Sequence, residues 1–284
     1  MASTYTPAVS QPAAAVSAPA RGIARMGHLV HFVIASILAV PQALRYYRKE
    51  VSRLTANVTW GNGTLVAGGG TVGVMAVLCA FGGMTVGIEA FNNLDLLGLG
   101  QISGAIAALG GTREIAPLLA SQAFIVQAGC RFTAQLGAMR ISEEIDALEA
   151  IAIRPLPYLV TTRIIAVSIA AVPLYVAALA VSYISTELTV AVIGDVAPGT
   201  YGHYFDLFLV PTDVLYSIAK LVVLVVLAVS IQCYYGYFAS GGPEGVGVAA
   251  GRAIRMSIIV TVLANLALTL TFWGVTAGAA RISG

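Results

Sequence analysis

The segment Ile141-Ser-Glu-Glu-Ile-Asp-Ala-Leu-Glu-Ala-Ile151 is a short acidic stretch between two long apolar ones. At about 100° per residue, Ile141, Ile145, Leu148 and Ala152 fall on one stripe of a helix. Its acidic side chains point mostly away from that stripe, and they are Glu143, Glu144, Asp146 and Glu149. The sequence therefore predicts an amphipathic helix over 141–152 that docks against another surface.

The rest of the chain is far more apolar than a soluble domain. Of its 284 residues, 58% are hydrophobic and 10% are charged, whereas soluble domains carry roughly 25% charged residues. This composition predicts an all-α membrane protein with room for about five or six spans of ~20 residues. Little of the chain is left for a separate soluble catalytic domain.

Five stretches are long enough and apolar enough to cross about 30 Å of hydrocarbon as helices. The apolar stretch at 96–111 is predicted to break at Gly110-Gly111 and to form a separate re-entrant or interfacial piece. Glycines at four-residue spacing, such as Gly83 and Gly87, favour close packing of the helices. The predicted spans are 65–90, 114–139, 158–186, 213–239 and 253–280.

The N-terminal part divides into a tail and an interfacial helix. Residues 1–20 carry no charged side chain and are rich in Ala, Pro, Ser and Thr, so we expect residues 1–25 to be a disordered cytosolic tail. Residues 28–50 have basic residues on both flanks. They are predicted to lie along the inner membrane surface, with Tyr46 and Tyr47 at headgroup level.

The lysines and arginines predict the orientation of the chain. With the N-terminus in the cytosol, twelve of the 15 lie on the cytosolic side, which is the usual bias of inner-membrane proteins. The C-terminus is then outside, and both 141–152 and the loop 240–247 face the cytosol. The remaining three belong to the outer half, and they are Arg113, Lys220 and Arg281.

Ionisable residues at the outer ends of two spans are candidates for a functional site. Arg113 and Glu114 either line a polar opening for a lipid headgroup, or Glu114 is a first-turn acid favoured by the helix dipole and Arg113 reaches the headgroups. Lys220 in the fourth span is predicted to pair with Asp213 or Glu187, or to extend to the headgroups.

The sequence contains no recognisable catalytic or metal-binding constellation. Its lysines, Lys49 and Lys220, are followed by Glu and Leu, so no phosphate-binding loop is present and ATP hydrolysis requires another subunit. His28 and His31 have no Cys, Asp or Glu within several residues to complete a metal site. We therefore expect no catalytic residue, metal or cofactor in this chain.

Several groups of residues resemble one known family. The MlaE/YrbE family of ABC-type lipid-transport permeases has a similar signature, carried here by Arg113-Glu-x-x-Pro117, Ala134-Gln-Leu-Gly-Ala-Met-Arg-Ile-Ser-Glu-Glu-Ile-Asp-Ala-Leu148, Arg154-Pro and Thr162-Arg163. Further segments resemble the YrbE permeases of actinobacterial Mce systems, and their B-type subunit more than their A-type. These are Tyr201-Gly-His-Tyr-Phe205, Cys233-Tyr-Tyr-Gly-Tyr237 and Gly241-Gly-Pro-Glu-Gly-Val-Gly247.

The resemblance implies a fold and a set of partners. Residues 26–284 would form one permease domain with an N-terminal interfacial helix, five spans, and a cytosolic coupling helix between the second and third. The permease would be non-catalytic and would pair with an A-type paralogue. A separate cytosolic ABC ATPase would bind ATP and Mg, outer MCE-domain proteins would complete the assembly, and no nucleic acid would take part.

The resemblance also implies a function and roles for individual residues. The chain would move hydrophobic lipids, such as fatty or mycolic acids, across the inner membrane by import. The acidic segment 141–152 would be the coupling helix that seats in the ATPase. The candidate lipid pathway is Arg113, Glu114, Pro117 and Lys220, and the predicted structural residues on the cytosolic side are Arg131, Arg154 and Arg163.

Two other functions are alternatives to ATP-driven lipid transport. A proton- or ion-coupled secondary transporter needs acidic groups near mid-membrane and often shows inverted repeats, whereas the ionisable residues here cluster at the ends of the spans. A purely structural anchor for the MCE assembly is the other alternative. Copurification with a P-loop ATPase argues against the secondary transporter, and lipid crosslinks inside the permease argue against the anchor.

Overall fold

The structure, a computed structural model, describes residues 18–60, 70–194 and 196–274. Over these residues the chain is helical and contains no β-strand. In chain order the helices are α1 Ala18–Leu38, α2 Val40–Tyr46, α3 Arg48–Trp60, α4 Gly70–Asp95, α5 Gly100–Ile141, α6 Glu144–Ala150, α7 Leu156–Gly194, α8 Pro198–Phe208, α9 Pro211–Tyr237 and α10 Gly242–Phe272.

Within the described residues, five helices are long enough and apolar enough to cross a membrane. They are α4, α5, α7, α9 and α10. Met26–Leu38 and Val40–Tyr46 meet at 43° and would add a sixth span only if this bent pair crosses as one. The predicted all-α membrane architecture with five spans is confirmed.

The observed helix boundaries differ from the predicted ones in places. The helix α4 begins at Gly70, so 65–69 of the first predicted span lies outside the described residues, as does 275–280 of the last. The third span continues to Gly194. The region predicted as one interfacial helix, 28–50, is divided among three helices, α1 to α3. The first of them begins at Ala18, so the last part of the predicted disordered tail is helical. The rest of the predicted tail, 1–17, lies outside the described residues.

The predicted break at Gly110-Gly111 is wrong, because the chain stays helical from Gly100 to Ile141. Neither glycine has the positive φ that ends a helix; Gly98 does, at 71°, between α4 and α5. The two glycines lie in a π-helical segment, Ala107–Ile115. At 1.5 Å per residue α5 is about 60 Å long, and its first turns pack against α8.

Close contacts between the spans depend on small residues. A Cβ atom on Gly83 would lie 2.3 Å from the carbonyl oxygen of Ser182, and Thr186 Oγ1 donates to the carbonyl of Gly83 at 2.9 Å. The predicted close packing at Gly83 and Gly87 is therefore confirmed for the α4–α7 pair. Without a side chain at Gly83, the backbones of α4 and α7 approach closely enough for this hydrogen bond.

A buried amide links α5 to α9. Gln232 Nε2 donates to the carbonyl of Ile125 at 3.0 Å, and Thr133 Oγ1 donates to the carbonyl of Gln232 at 3.0 Å. Ile125 begins the second π-helical segment of α5, Ile125–Gly129, where the ordinary helical hydrogen bonding is interrupted. The side chain of Gln232 thus satisfies a carbonyl at this irregular turn and fixes α9 beside α5.

Candidate functional site

The predicted site residues lie at opposite ends of the helical bundle. Glu114 and Ile141 both belong to α5, and at 1.5 Å per residue they are about 40 Å apart. The end that carries α6 is called the coupling end below. The structure therefore does not bring the predicted lipid-pathway residues and the acidic segment 141–152 together. The continuous helix α5 connects them.

A cluster of four charged residues from α5 and α9 lies at the end opposite α6, and it is called the charge cluster below. Arg113 contacts Asp213 through Nη2 at 2.7 Å and Nε at 3.1 Å, both on Oδ2. Trp273 Nε1 donates to Asp213 Oδ1 at 2.8 Å, so both carboxylate oxygens have donors. The side chain of Asp213 is only 3% exposed. Burial makes this pairing necessary, because an unpaired carboxylate there would be costly.

Lys220 forms the second ion pair of the cluster. Its Nζ lies 3.2 Å from Glu114 Oε2 and donates to Thr269 Oγ1 at 2.6 Å and to the carbonyl of Arg113 at 2.7 Å. These three acceptors match the three hydrogens of an ammonium group. The side chain of Lys220 is fully buried, so its charge is compensated entirely inside the protein.

Pro117 explains why a backbone carbonyl is available to Lys220. Proline has no N–H, so Pro117 cannot donate to the carbonyl of Arg113 one α-helical turn earlier. The ammonium of Lys220 donates to that carbonyl. The spacing Arg113-Glu-x-x-Pro117 thus places a carboxylate beside a carbonyl to which Pro117 cannot donate. Pro117 is buried, and its contribution to the site is through the backbone.

Glu114 is the member of the cluster that remains partly open. Its carboxylate accepts from Asn265 Nδ2 at 2.8 Å, from Thr269 Oγ1 and from Lys220, yet 36% of its side chain is exposed. Beside it, Asn265 Oδ1 is buried without a hydrogen-bond partner. The cluster therefore presents one partly accessible carboxylate and has a buried acceptor without a partner beside it.

Several sequence-based expectations for this cluster are corrected. The predicted pairing of Lys220 with Asp213 or Glu187 is wrong, because Lys220 pairs with Glu114 and Asp213 pairs with Arg113. Glu114 is not a first-turn acid, since α5 begins well before it at Gly100. Arg113, which was predicted in one alternative to reach the headgroups, is instead ion-paired with Asp213 within the protein.

Sequence reasoning missed three members of this site. Asn265 and Thr269 of α10 hydrogen-bond to Glu114, and Trp273 follows α10 and contacts Asp213. A signal for the first two was present, because polar residues four apart in an apolar span lie on one helix face. Nothing in the sequence indicated Trp273.

The acidic segment 141–152 contains the short helix α6 between two residues with left-handed backbone conformation. Glu143 and Ala152 both have φ of 60°, a conformation that non-glycine residues rarely adopt. They flank α6, which is shorter than the predicted helix over 141–152. Arg140 Nη1 contacts Asp146 Oδ1 at 2.7 Å, which ties the end of α5 to α6.

The structure divides the predicted apolar stripe between two environments. Ile145 is 1% exposed and belongs to the main core, and Leu148 packs against that core. Ile141 and Ile151 are exposed at 39% and 66%. The acidic side chains are exposed as well, and they are Glu143, Glu144, Asp146 and Glu149. The accessible face of the segment is therefore acidic, with an apolar residue at each end.

Two of the three predicted structural arginines pack around one aromatic ring. The guanidinium carbons of Arg131 and Arg163 lie 5.9 and 5.5 Å from the ring centroid of Phe132. Arg131 Nη2 donates to the carbonyl of Asn57 at 3.1 Å, joining α5 to α3. Arg154 is exposed between α6 and α7.

Among the described residues, no three His, Cys, Asp or Glu side chains lie close enough to hold a metal ion. The cluster's chemistry is therefore that of ion pairs and hydrogen bonds from α5, α9, α10 and Trp273. One carboxylate of the cluster, that of Glu114, is partly open.

Comparisons with known proteins agree on one family. The family model described as Permease MlaE matches residues 61–271. A probable ABC transporter permease protein of Rickettsia bellii is 25% identical over 250 residues, which cover 88% of this chain and 93% of that protein. A probable ABC transporter permease protein of Synechocystis is 27% identical over 205 residues, covering 72% and 78%.

A plant protein is also similar. The chloroplastic protein TRIGALACTOSYLDIACYLGLYCEROL 1 of Arabidopsis thaliana is 28% identical over 203 residues, which cover 72% of this chain. The aligned part of the chain spans 58% of the length of that relative. The charge cluster and the acidic segment 141–152 fall inside the range matched by the family model, and Trp273 lies outside it.

Proposed function

The chain belongs to the MlaE permease family, and from that premise we propose that it is the membrane subunit of an ATP-driven lipid transporter of the Mce type, of the YrbE B-type class. The observation that carries the proposal is that one continuous helix, α5, connects two features. The acidic, accessible helix α6 follows the end of α5 at Ile141, and the partly open charge cluster includes Glu114, about 40 Å away along α5. Such a helix is suited to couple an ATP-driven motor that binds α6 to a ligand that binds the charge cluster.

The proposed motor is a separate cytosolic ABC ATPase, which would bind ATP and Mg. The chain has no phosphate-binding loop, and its similar relatives are ABC transporter permeases. The acidic face of α6 is exposed, whereas its apolar residue Ile145 is held in the core. In this proposal the ATPase groove contacts the acidic face together with Ile141 and Ile151, and Ile145 anchors α6 to the spans.

The proposed assembly follows from the open faces of the bundle. Of the five spans, α10 is the one whose surface is least buried within the chain, and it carries Asn265 and Thr269 of the charge cluster. An A-type paralogue packed against this side would enclose the cluster in a cavity between two permeases. Outer MCE-domain proteins would cover that cavity. The N-terminus and α6 would lie in the cytosol and the C-terminus outside the inner membrane.

The proposed cargo is a hydrophobic lipid with a polar headgroup, such as a fatty or mycolic acid, moved by import. The partly exposed carboxylate of Glu114 is the group available to a headgroup, and as a hydrogen-bond acceptor it would bind a hydroxyl or a protonated carboxyl group of such a lipid. Lys220 is fully buried behind Glu114, so a ligand would contact Glu114 first. The name of the Arabidopsis relative contains a glycolipid, which supports a lipid cargo.

The proposed mechanism is mechanical. Nucleotide-driven closure of the ATPase pair would push on α6, and α5 and α7 would transmit the movement over about 40 Å to the charge cluster. Rigid displacement of packed helices is a common form of such coupling. Movement of α5 relative to α9 and α10 would alter the Glu114–Lys220 and Glu114–Asn265 contacts and change the affinity for the headgroup.

Charge reversal on the accessible face of α6 tests the coupling role. Glu144→Lys with Glu149→Lys should lower recovery of the ATPase with the purified permease by about tenfold, because complementary charge across the interface is replaced by repulsion. Both side chains are exposed, so the permease itself should stay folded. The matched control is Glu89→Lys, an exposed acid on α4. Equal ATPase recovery from the double variant and the control would contradict the assignment.

Neutralising Glu114 tests the lipid pathway. Glu114→Gln keeps the size of the side chain but removes its charge, and it should lower lipid uptake or lipid-stimulated ATP hydrolysis by about tenfold, a loss typical of one charged contact. Because it also leaves the fully buried Lys220 without its carboxylate, assembly and the thermal midpoint are measured in parallel, and the double variant with Lys220→Met removes the uncompensated charge. Glu187→Gln, a half-buried acid on α7, is the matched control. Normal transport by the Glu114 variant would show that its carboxylate serves only packing.

A further inference from the structure

A cleft with a volume of about 780 Å³ opens at the coupling end between α1, α9 and α10. This volume lies within the range of small-molecule sites, roughly 300–1,000 Å³. Leu29 of α1, Tyr235 of α9 and Phe238, which directly follows α9, form much of its apolar wall. Glu244 and Arg252 of α10 supply its charges. It is separate from the charge cluster, which lies at the opposite end of the bundle.

The wall formed by α1 is fixed by specific contacts. His28 Nδ1 and Tyr234 Oη are hydrogen-bonded at 2.9 Å, and the rings of Phe32 and Tyr234 are in edge contact at 5.4 Å between centroids. The helix α1 is therefore held against α9, and the cleft beside it is a defined feature of the fold.

The two charges of the cleft face the same space without neutralising each other. Glu244 and Arg252 are both exposed, and among the described residues neither forms a salt bridge. Their Cα atoms are about 12 Å apart along the axis of α10. Helical side chains lean toward the N-terminus, so Arg252 extends toward Glu244 and a gap between opposite charges remains.

The position of Arg252 along α10 corresponds to the headgroup level of a membrane. From Met256 to Phe272 the helix carries no charged residue, and Arg252 and Arg255 precede this apolar part. Arginines and aromatic rings are typical of the boundary between hydrocarbon and water. Arg252, Tyr235 and Phe238 bring both kinds of side chain to this cleft.

We propose that the cleft binds a phospholipid whose headgroup carries both a phosphate and an ammonium group, of the phosphatidylethanolamine class, from the leaflet at the coupling end. Arg252 binds the phosphate, Glu244 accepts from the ammonium group, and the acyl chains follow α10 past Met256. Basic pockets between spans are known sites for phosphate-bearing headgroups. The carboxylate of Glu244 disfavours lipids with only negative charge. This site is independent of the transport function proposed above.

Photocrosslinking of the full-length chain tests the proposal. The protein is placed in micelles of an uncharged detergent with equal amounts of photoreactive phosphatidylethanolamine or phosphatidylglycerol, and labelled peptides are quantified by mass spectrometry. Peptides that contain Leu29 and Phe238 should be labelled about tenfold more by phosphatidylethanolamine, a factor expected for one charge-assisted contact. Arg252→Gln should reduce labelling by both lipids, and Glu244→Gln should remove the preference between them.

Matched variants separate this site from other lipid contacts. Arg255→Gln removes a nearby arginine that does not line the cleft, and Glu89→Gln removes an exposed acid of α4 that does not line it either; both should leave the labelling unchanged. Equal labelling by the two lipids in the wild-type chain would overturn the proposal as non-specific lipid contact. Crosslinks of these peptides only to a second copy of the chain would overturn it by showing a subunit contact.

Discussion

Arg113→Met is expected to lower the free energy of unfolding of the permease by about 3–5 kcal/mol, the usual cost of breaking a buried ion pair. The variant leaves the carboxylate of Asp213, which is 3% exposed, without its cation. Trp273 Nε1 would then be its remaining side-chain donor. Thermal unfolding of the purified chain in detergent should show a clearly lowered midpoint.

A second substitution separates charge from packing. In the double variant Arg113→Met with Asp213→Asn, the buried negative charge is gone while an oxygen remains to accept from Trp273, so much of the lost stability should return. Arg154→Met, an exposed arginine at the coupling end, is the control and should have little effect. An unchanged midpoint for Arg113→Met would show that the ion pair does not stabilise the fold.

Ile145→Asp is expected to destabilise the permease by about 3–5 kcal/mol, because it truncates a core side chain and buries an unpaired carboxylate. Ile145 is 1% exposed and lies in the same core as Leu136. The folded yield and the thermal midpoint of the chain in detergent should both fall. The effect should be seen in the absence of any ATPase, since it arises within the permease.

Ile151→Asp is the matched substitution on the exposed side. Its side chain is 66% exposed, so the stability of the permease should be unchanged while recovery of the ATPase falls. If Ile145→Asp instead left the permease stable and only the ATPase were lost, Ile145 would belong to the docking surface. That outcome would contradict its placement in the core.

The number of spans was predictable because hydrocarbon thickness sets a length that apolar sequence must match. The fourth span, predicted at 213–239, is observed at Pro211–Tyr237. The predicted break at Gly110-Gly111 failed because glycine permits a left-handed turn without requiring one. The surrounding α8 and α9 pack against this part of α5, and the chain stays helical there.

The candidate site was predictable only in part. Arg113, Glu114 and Lys220 were recognised because charges are costly in apolar spans, but their partners were assigned incorrectly. The position of a residue along one helix gives its depth in the membrane. It does not say which residue of another helix faces it. Asn265 and Thr269 were missed for the same reason.

By itself the sequence determined the all-α class, the five spans and the acidic segment between the second and third, because these follow from local hydrophobicity and its helical period. Only the tertiary structure decided that Arg113 pairs with Asp213 and Lys220 with Glu114. It also decided that Ile145 is buried while Ile151 is exposed. Pairing and burial depend on which helices become neighbours and how each is rotated, and those are properties of the packed bundle as a whole.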